Sequence, residues 1–94
     1  MALDEKDFSE DFVQKMRNRM ATSLHKYGRV ADNRVNIDFL ENVQARLAKY
    51  GDTGNTEWLV DAANFCMMEF EMPWHKEAHF RATDSHEAPK LNKF

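Results

Sequence analysis

The stretch Asn55-Thr56-Glu57-Trp58-Leu59-Val60-Asp61-Ala62-Ala63-Asn64-Phe65-Cys66-Met67-Met68-Glu69-Phe70-Glu71 decides the fold class of this 94-residue chain. Asn55 suits a helix cap, and Pro73, which lacks a donor and clashes with the preceding turn, stops the helix. Between them Trp58, Leu59, Val60, Ala62, Ala63, Phe65, Cys66, Met67, Met68 and Phe70 are apolar nearly all round the helical wheel. Such a helix, expected over residues 55–71, has to be enclosed by its neighbours or by a second subunit. Two further helices cannot cover every face of it, so a homo-oligomer is expected.

Upstream, the turn Gly51-Asp52-Thr53-Gly54 separates it from a second helix expected over 36–50. Asn36 is a plausible cap there, Phe39, Leu40, Val43, Leu47 and Tyr50 line one face, and Gly51 supplies a stop. The first helix is expected over 8–27. Asp7 and Glu10 have capping-box spacing, Phe12, Met16, Met20, Leu24 and Tyr27 recur at steps of four and three, and Gly28 follows. Lys26-Tyr27-Gly28 is echoed by Lys49-Tyr50-Gly51, which shared stop chemistry explains as well as duplication does. Residues 28–35 read as a polar connection and 72–94 as a short irregular tail with one helical turn at 74–79. The expectation is a single all-α domain spanning 1–94, a three-helix bundle.

Composition bounds the function classes. Hydrophobic residues make up 43% and charged residues 31%, with three Gly and two Pro, which suits a folded helical domain. No apolar run reaches the roughly 20 residues of a membrane span, and the start is acidic without an apolar signal core, so a cytoplasmic protein without a membrane partner is expected. Cys66 is alone and reads as a buried, inert thiol. From Lys15 to Arg34 six basic residues oppose only Asp32, whereas from Asp52 to Glu77 six acids oppose only Lys76. With a net charge of −3 and no long basic run, duplex DNA is not an expected partner.

Chemistry is expected inside the last helix. Glu57, Asp61 and Asn64 are spaced by four and three residues and share one face, interrupting apolar surface. A carboxylate in such surroundings must be satisfied, by a cation such as Arg17 or Arg46, by a neighbouring subunit, by a metal, or by solvent in a pocket. On the first helix Lys15, Arg19, Thr22 and Lys26 align and could hold phosphate oxygens, or could form a solvated face. His75 and His79 are four apart, yet no Cys or acid completes a zinc set with them. Arg81 accompanies them in the tail without a pattern. There is no Gly-rich phosphate loop and no serine elbow.

Residues 53–68, Thr-Gly-Asn-Thr-Glu-Trp-Leu-Val-Asp-Ala-Ala-Asn-Phe-Cys-Met-Met, resemble the acidic core helix of MazG-like all-α nucleotide pyrophosphohydrolases, and small proteins of that kind are common in bacteriophages. The resemblance covers roughly residues 26–70. It implies a bundle assembled from several subunits, with acids from neighbouring helices holding Mg²⁺ on a nucleoside triphosphate; here those acids would be Glu41, Glu57 and Asp61. The run of paired glutamates that the family places on an earlier helix is missing, and the second helix offers only Asp38 and Glu41. The expected function is therefore a binding module for a nucleotide or another phosphorylated small molecule, catalytically degenerate, with Asp61, Asn64, Glu57, Lys15, Arg19 and Lys26 at the ligand. The alternatives are a protein-interaction inhibitor of a host defence system, using the apolar surplus with Trp74, Phe80 and Phe94, and a Mg²⁺-dependent pyrophosphohydrolase.

Overall fold

A computed structural model describes residues 2–84, 86 and 87. Four α-helices appear among them and no strand: α1 Glu10–Tyr27, α2 Val30–Asn33, α3 Phe39–Thr53 and α4 Glu57–Glu71, with a 3-10 turn at Arg34–Asn36. None is long and apolar enough to cross a membrane.

Helix α1 starts later than the capping box suggested. Ser9 Oγ accepts from the Phe12 N–H at 3.0 Å, while Asp7 is drawn into a turn in which its N–H donates to the Asp4 carbonyl. Two acceptors competed for one helix start, and the turn at Asp4 removed Asp7 from the contest. Glu10 and Asp11 in the first turn and His25 and Lys26 in the last suit the helix dipole. Gly28 ends α1 as expected, with φ 83° and its N–H on the Leu24 carbonyl.

The connection after it is helical, contrary to expectation. Val30–Asn33 makes one turn and runs into the 3-10 turn, and the Asn33 amide donates to the Tyr27 and Arg29 carbonyls, serving the end of α1. Asn36 is consumed by the 3-10 turn, so Asp38 caps α3, its Oδ1 accepting from the Glu41 N–H at 3.0 Å. At the far end Gly51 stays helical, and Gly54 takes the left-handed conformation (φ 71°) with its N–H on the Tyr50 carbonyl. A glycine inside a helix costs roughly 1 kcal/mol relative to alanine, whereas Gly54 ends the helix in the left-handed conformation that glycine tolerates. The two Lys-Tyr-Gly sequences therefore have different fates.

Thr56, not Asn55, stands at the N-cap of α4 and makes no side-chain cap bond, while Asn55 just before it accepts from the Glu57 N–H through Oδ1 at 3.0 Å. Beyond Pro73 the expected helical turn at 74–79 is a single hydrogen-bonded turn, the Ala78 N–H donating to the His75 carbonyl and the His75 ring accepting from the Glu77 N–H. Phe94 and the rest of the last seven residues lie outside the described part.

Helix α4 is central. It packs along α3 and against α1, whereas α1 and α3 barely touch. Among the described residues Phe39, Val60, Ala62 and Met68 are the buried apolar side chains, and the Phe39 and Phe65 rings meet at 6.5 Å between centroids. Helix α1 buries no residue fully. The radius of gyration is 15.2 Å, against about 12–13 Å for a compact chain of this length, so the core is thin. A clasp closes one end: the Arg34 guanidinium donates to the Met72 and Pro73 carbonyls, and the Trp74 indole N–H donates back to the Arg34 carbonyl. Cys66 is exposed, not buried, because it lies on α4 where neither α1 nor α3 covers it.

Candidate functional site

Because α1 and α3 stand apart over α4, a cleft of about 400 Å³ opens between them. Asp61, Asn64, Phe65 and Met68 of α4 line it together with Arg19 and Met20 of α1, Arg46 of α3, and Ile37. Ser23, Tyr27 and Asn33 also contribute to its walls. Its volume falls in the roughly 300–1,000 Å³ range of small-molecule sites. A hollow of about 540 Å³ elsewhere is formed by residues 3–5 and 8–11 alone and receives nothing from α3 or α4.

The spacing of Glu57, Asp61 and Asn64 does place them on the side of α4 that meets α1. Arg19 reaches across and spans the two acids, with Nε 3.1 Å from Asp61 Oδ1 and Nη1 3.1 Å from Glu57 Oε1. The hydrogen bond to Asp61 and then its charge raise the Arg19 pKa above its ordinary value; burial opposes them, and the charge of Glu57 adds a smaller upward effect. From the other side Arg46 approaches Asp61 Oδ2 with Nε at 3.9 Å, too far for a hydrogen bond. The Arg46 guanidinium lies 4.4 Å over the Phe65 ring, and its Nη1 donates to Asn42 Oδ1 at 2.6 Å. Asp61, with its side chain 14% exposed, thus sits between two guanidinium groups.

Asn64 is 3% exposed. Its amide nitrogen donates to the Met16 carbonyl at 3.1 Å, which fixes the orientation of the amide, while Oδ1 has no partner within the protein. Arg46 Nε is likewise buried without a hydrogen-bond partner. An acceptor and a donor left open beside one cleft are costly unless something completes them, at roughly 1–3 kcal/mol each.

The remaining sequence candidates separate. Lys15 and Glu57 line a neighbouring groove of about 320 Å³, with Arg19 common to both. Lys15 Nζ is held 2.7 Å from Asp11 Oδ2 on its own helix. Lys26 is exposed near the end of α1 and lines neither recess. Arg17 is exposed, so the cation named beside it, Arg46, and Arg19 serve Asp61 instead. Among the described residues no three His, Cys, Asp or Glu side chains gather to hold a metal ion, so Glu41 does not join Glu57 and Asp61. Glu41 stands exposed in the first turn of α3, and Arg19 is wedged against the other two acids. His75 and His79 are occupied by backbone groups of Glu77. Arg81 pairs with Glu87 at 2.6 Å, and that hydrogen bond, with a second from the Asp84 N–H, lowers the Glu87 pKa below the usual glutamate range.

Arg46 was visible only as one possible partner of Asp61, and its place in the cleft wall was missed. The signal was present: Phe39, Val43, Arg46 and Tyr50 follow steps of four, three and four, so an arginine interrupts an apolar stripe. Compared with protein-family models, curated proteins and solved structures, the chain matches none of them.

Proposed function

We propose that the protein is a small helical binding module that takes a nucleotide or another phosphorylated small molecule into the cleft between α1 and α3. The observation that carries this is the unpartnered Asn64 Oδ1, buried beside a cleft lined by the Arg19–Asp61–Arg46 row. Arg19 and Arg46 both line the cleft, and guanidinium groups so placed suit an anionic group of a ligand. Met20, Phe65 and Met68 supply apolar wall for the rest of the molecule, and Asn64 supplies an acceptor for an N–H or O–H of the ligand. Hydrolysis would need several acids cooperating on Mg²⁺, whereas Arg19 neutralises Glu57 and Asp61. Binding by a catalytically degenerate MazG-like protein of phage type is thus favoured over a pyrophosphohydrolase.

Self-association belongs to the same proposal, because α1 and α3 leave one side of α4 open. The runner-up, an inhibitor acting on a host defence protein, draws on exposed aromatic residues such as Phe80, 87% exposed, and Trp74, 47% exposed.

Thermal unfolding in the presence of nucleoside mono-, di- and triphosphates, with EDTA or with Mg²⁺, tests the proposal. Ligand at 100 times its Kd should stabilise the fold by about 2.7 kcal/mol, without a metal requirement. A shift that appears only with Mg²⁺ and is accompanied by pyrophosphate release would make the protein an enzyme. Absence of any shift would remove the binding module and leave the protein-interaction alternative.

A further inference from the structure

Resting on the cleft as the nucleotide site proposed above, we infer that Asn64 selects the ligand through an amino group. The end of the ligand that enters the cleft is a ring carrying an exocyclic –NH2, as adenine and cytosine do, and rings with an oxo group in its place, such as hypoxanthine and uracil, are rejected.

Two asparagines in the cleft wall commit their amide nitrogens to backbone carbonyls. Asn64 Nδ2 donates to the Met16 carbonyl at 3.1 Å. Asn33 Nδ2 donates to the Tyr27 carbonyl at 3.1 Å and to the Arg29 carbonyl at 3.0 Å. Turning either amide over would set its oxygen against a carbonyl oxygen, so both are locked with Oδ1 as the free end. An amide held this way accepts and cannot donate. Asn64 decides the matter, because its side chain is buried and its Oδ1 receives no bond from the protein. Asn33, half-buried, offers a second acceptor at one end of the same cleft.

The cleft therefore divides its polar groups by sign. Its guanidinium groups carry donors alone and suit the anionic end of a ligand, whereas its locked neutral groups are acceptors and require an N–H or O–H. Met20, Phe65 and Met68 beside Asn64 are apolar, which suits the faces of a ring. A sugar phosphate could offer a hydroxyl to Asn64, but its other hydroxyls would be desolvated against that wall. An amino group on a ring meets Asn64 Oδ1 as a donor. An oxo group at the same place sets two acceptor oxygens against each other and leaves both without a proton. A buried group that must hydrogen-bond its ligand discriminates more steeply than an apolar pocket does by shape.

Calorimetric titration of the full chain in EDTA, with ATP against ITP and CTP against UTP and with the matching monophosphates, tests this. In at least one pair the amino member should bind at least about tenfold more tightly, and in no pair should the oxo member be preferred. Asn64→Leu removes the acceptor and fills its place with carbon; it should weaken the amino member and bring the ratio to about one. Should this variant fail to fold, the pairs on the unaltered chain decide. A preference that survives in Asn64→Leu would overturn the assignment to Asn64. Equal affinities in every pair, a preference for ITP or UTP, or ribose 5-phosphate binding as tightly as the best nucleotide would overturn the amino selection and leave the binding module standing. No binding by any of these compounds would overturn both.

Discussion

The two sides of α4 are both rich in apolar residues in the sequence, and they meet opposite fates. Towards α1 and α3 the helix presents Asp61 and Asn64, each placed among partners on other helices, and the side chains there are largely covered. On the far side Cys66 and Phe70 are left exposed by the described residues. The difference teaches that all-round apolarity in one helix encodes two separate demands. One is a polar row held inside a greasy cleft, where each charge needs a partner. The other is plain surface, where the need is for cover alone.

The sharpest way to break this contrast is to remove what both sides stand on. Phe39 is fully buried against Phe65 at the α3–α4 seam. Phe39→Ala should destabilise the fold by about 3–5 kcal/mol in urea unfolding, and ligand binding and self-association should fail together. Survival of either function in this variant would mean that the two sides do not share a scaffold. A smaller loss is expected from Asp61→Ala, which strands two partly exposed guanidinium groups; we expect about 1–2 kcal/mol after allowance for solvent screening. This change should remove ligand binding and leave the oligomer mass untouched.

Lys15→Ala sharpens the comparison from outside. Its pair with Asp11 is exposed and within one helix, so stability should change by no more than about 0.5 kcal/mol. A measured loss as large as that for Asp61→Ala would show that burial is not what distinguishes the cleft pair. The smallest effect concerns the tail. Glu87 has a lowered folded pKa, so its contribution is present above the pKa of the unfolded chain and is lost as pH falls through the folded value. An NMR titration of its carboxyl carbon should give a midpoint below that of an ordinary glutamate, and Arg81→Ala should move it up towards the ordinary value. Neither side of α4 should respond.

Much of the fold was legible because it is local. Gly28, Asn55 and Pro73 act on their own neighbours, and the apolar steps in residues 12–27 and 39–50 fix which way each helix faces. The errors arose where two local signals competed. Ser9 displaced Asp7, Asp38 displaced Asn36, and Gly54 displaced Gly51, each a choice between residues of similar chemistry two or three positions apart. In the site, the common face of Glu57, Asp61 and Asn64 follows from spacing within one helix. That Arg19 would span Glu57 and Asp61, across 42 residues of sequence to Asp61, does not, because the pairing depends on how α1 is laid over α4. The same gap explains Cys66, whose exposure is set by where the other helices are not.

The cleft is tested most directly by recording amide ¹H–¹⁵N spectra of the protein during titration with the nucleotide that stabilises it best. Resonances of Ser23, Asn33, Asn64 and Phe65, and the side-chain amide of Asn64 above all, should move saturably, while Leu40, Ala63 and Phe70 stay fixed. Shifts confined to Leu40, Ala63 and Phe70, or a spectrum unchanged at saturating nucleotide, would contradict the assignment of ligand binding to the Asp61 side of α4.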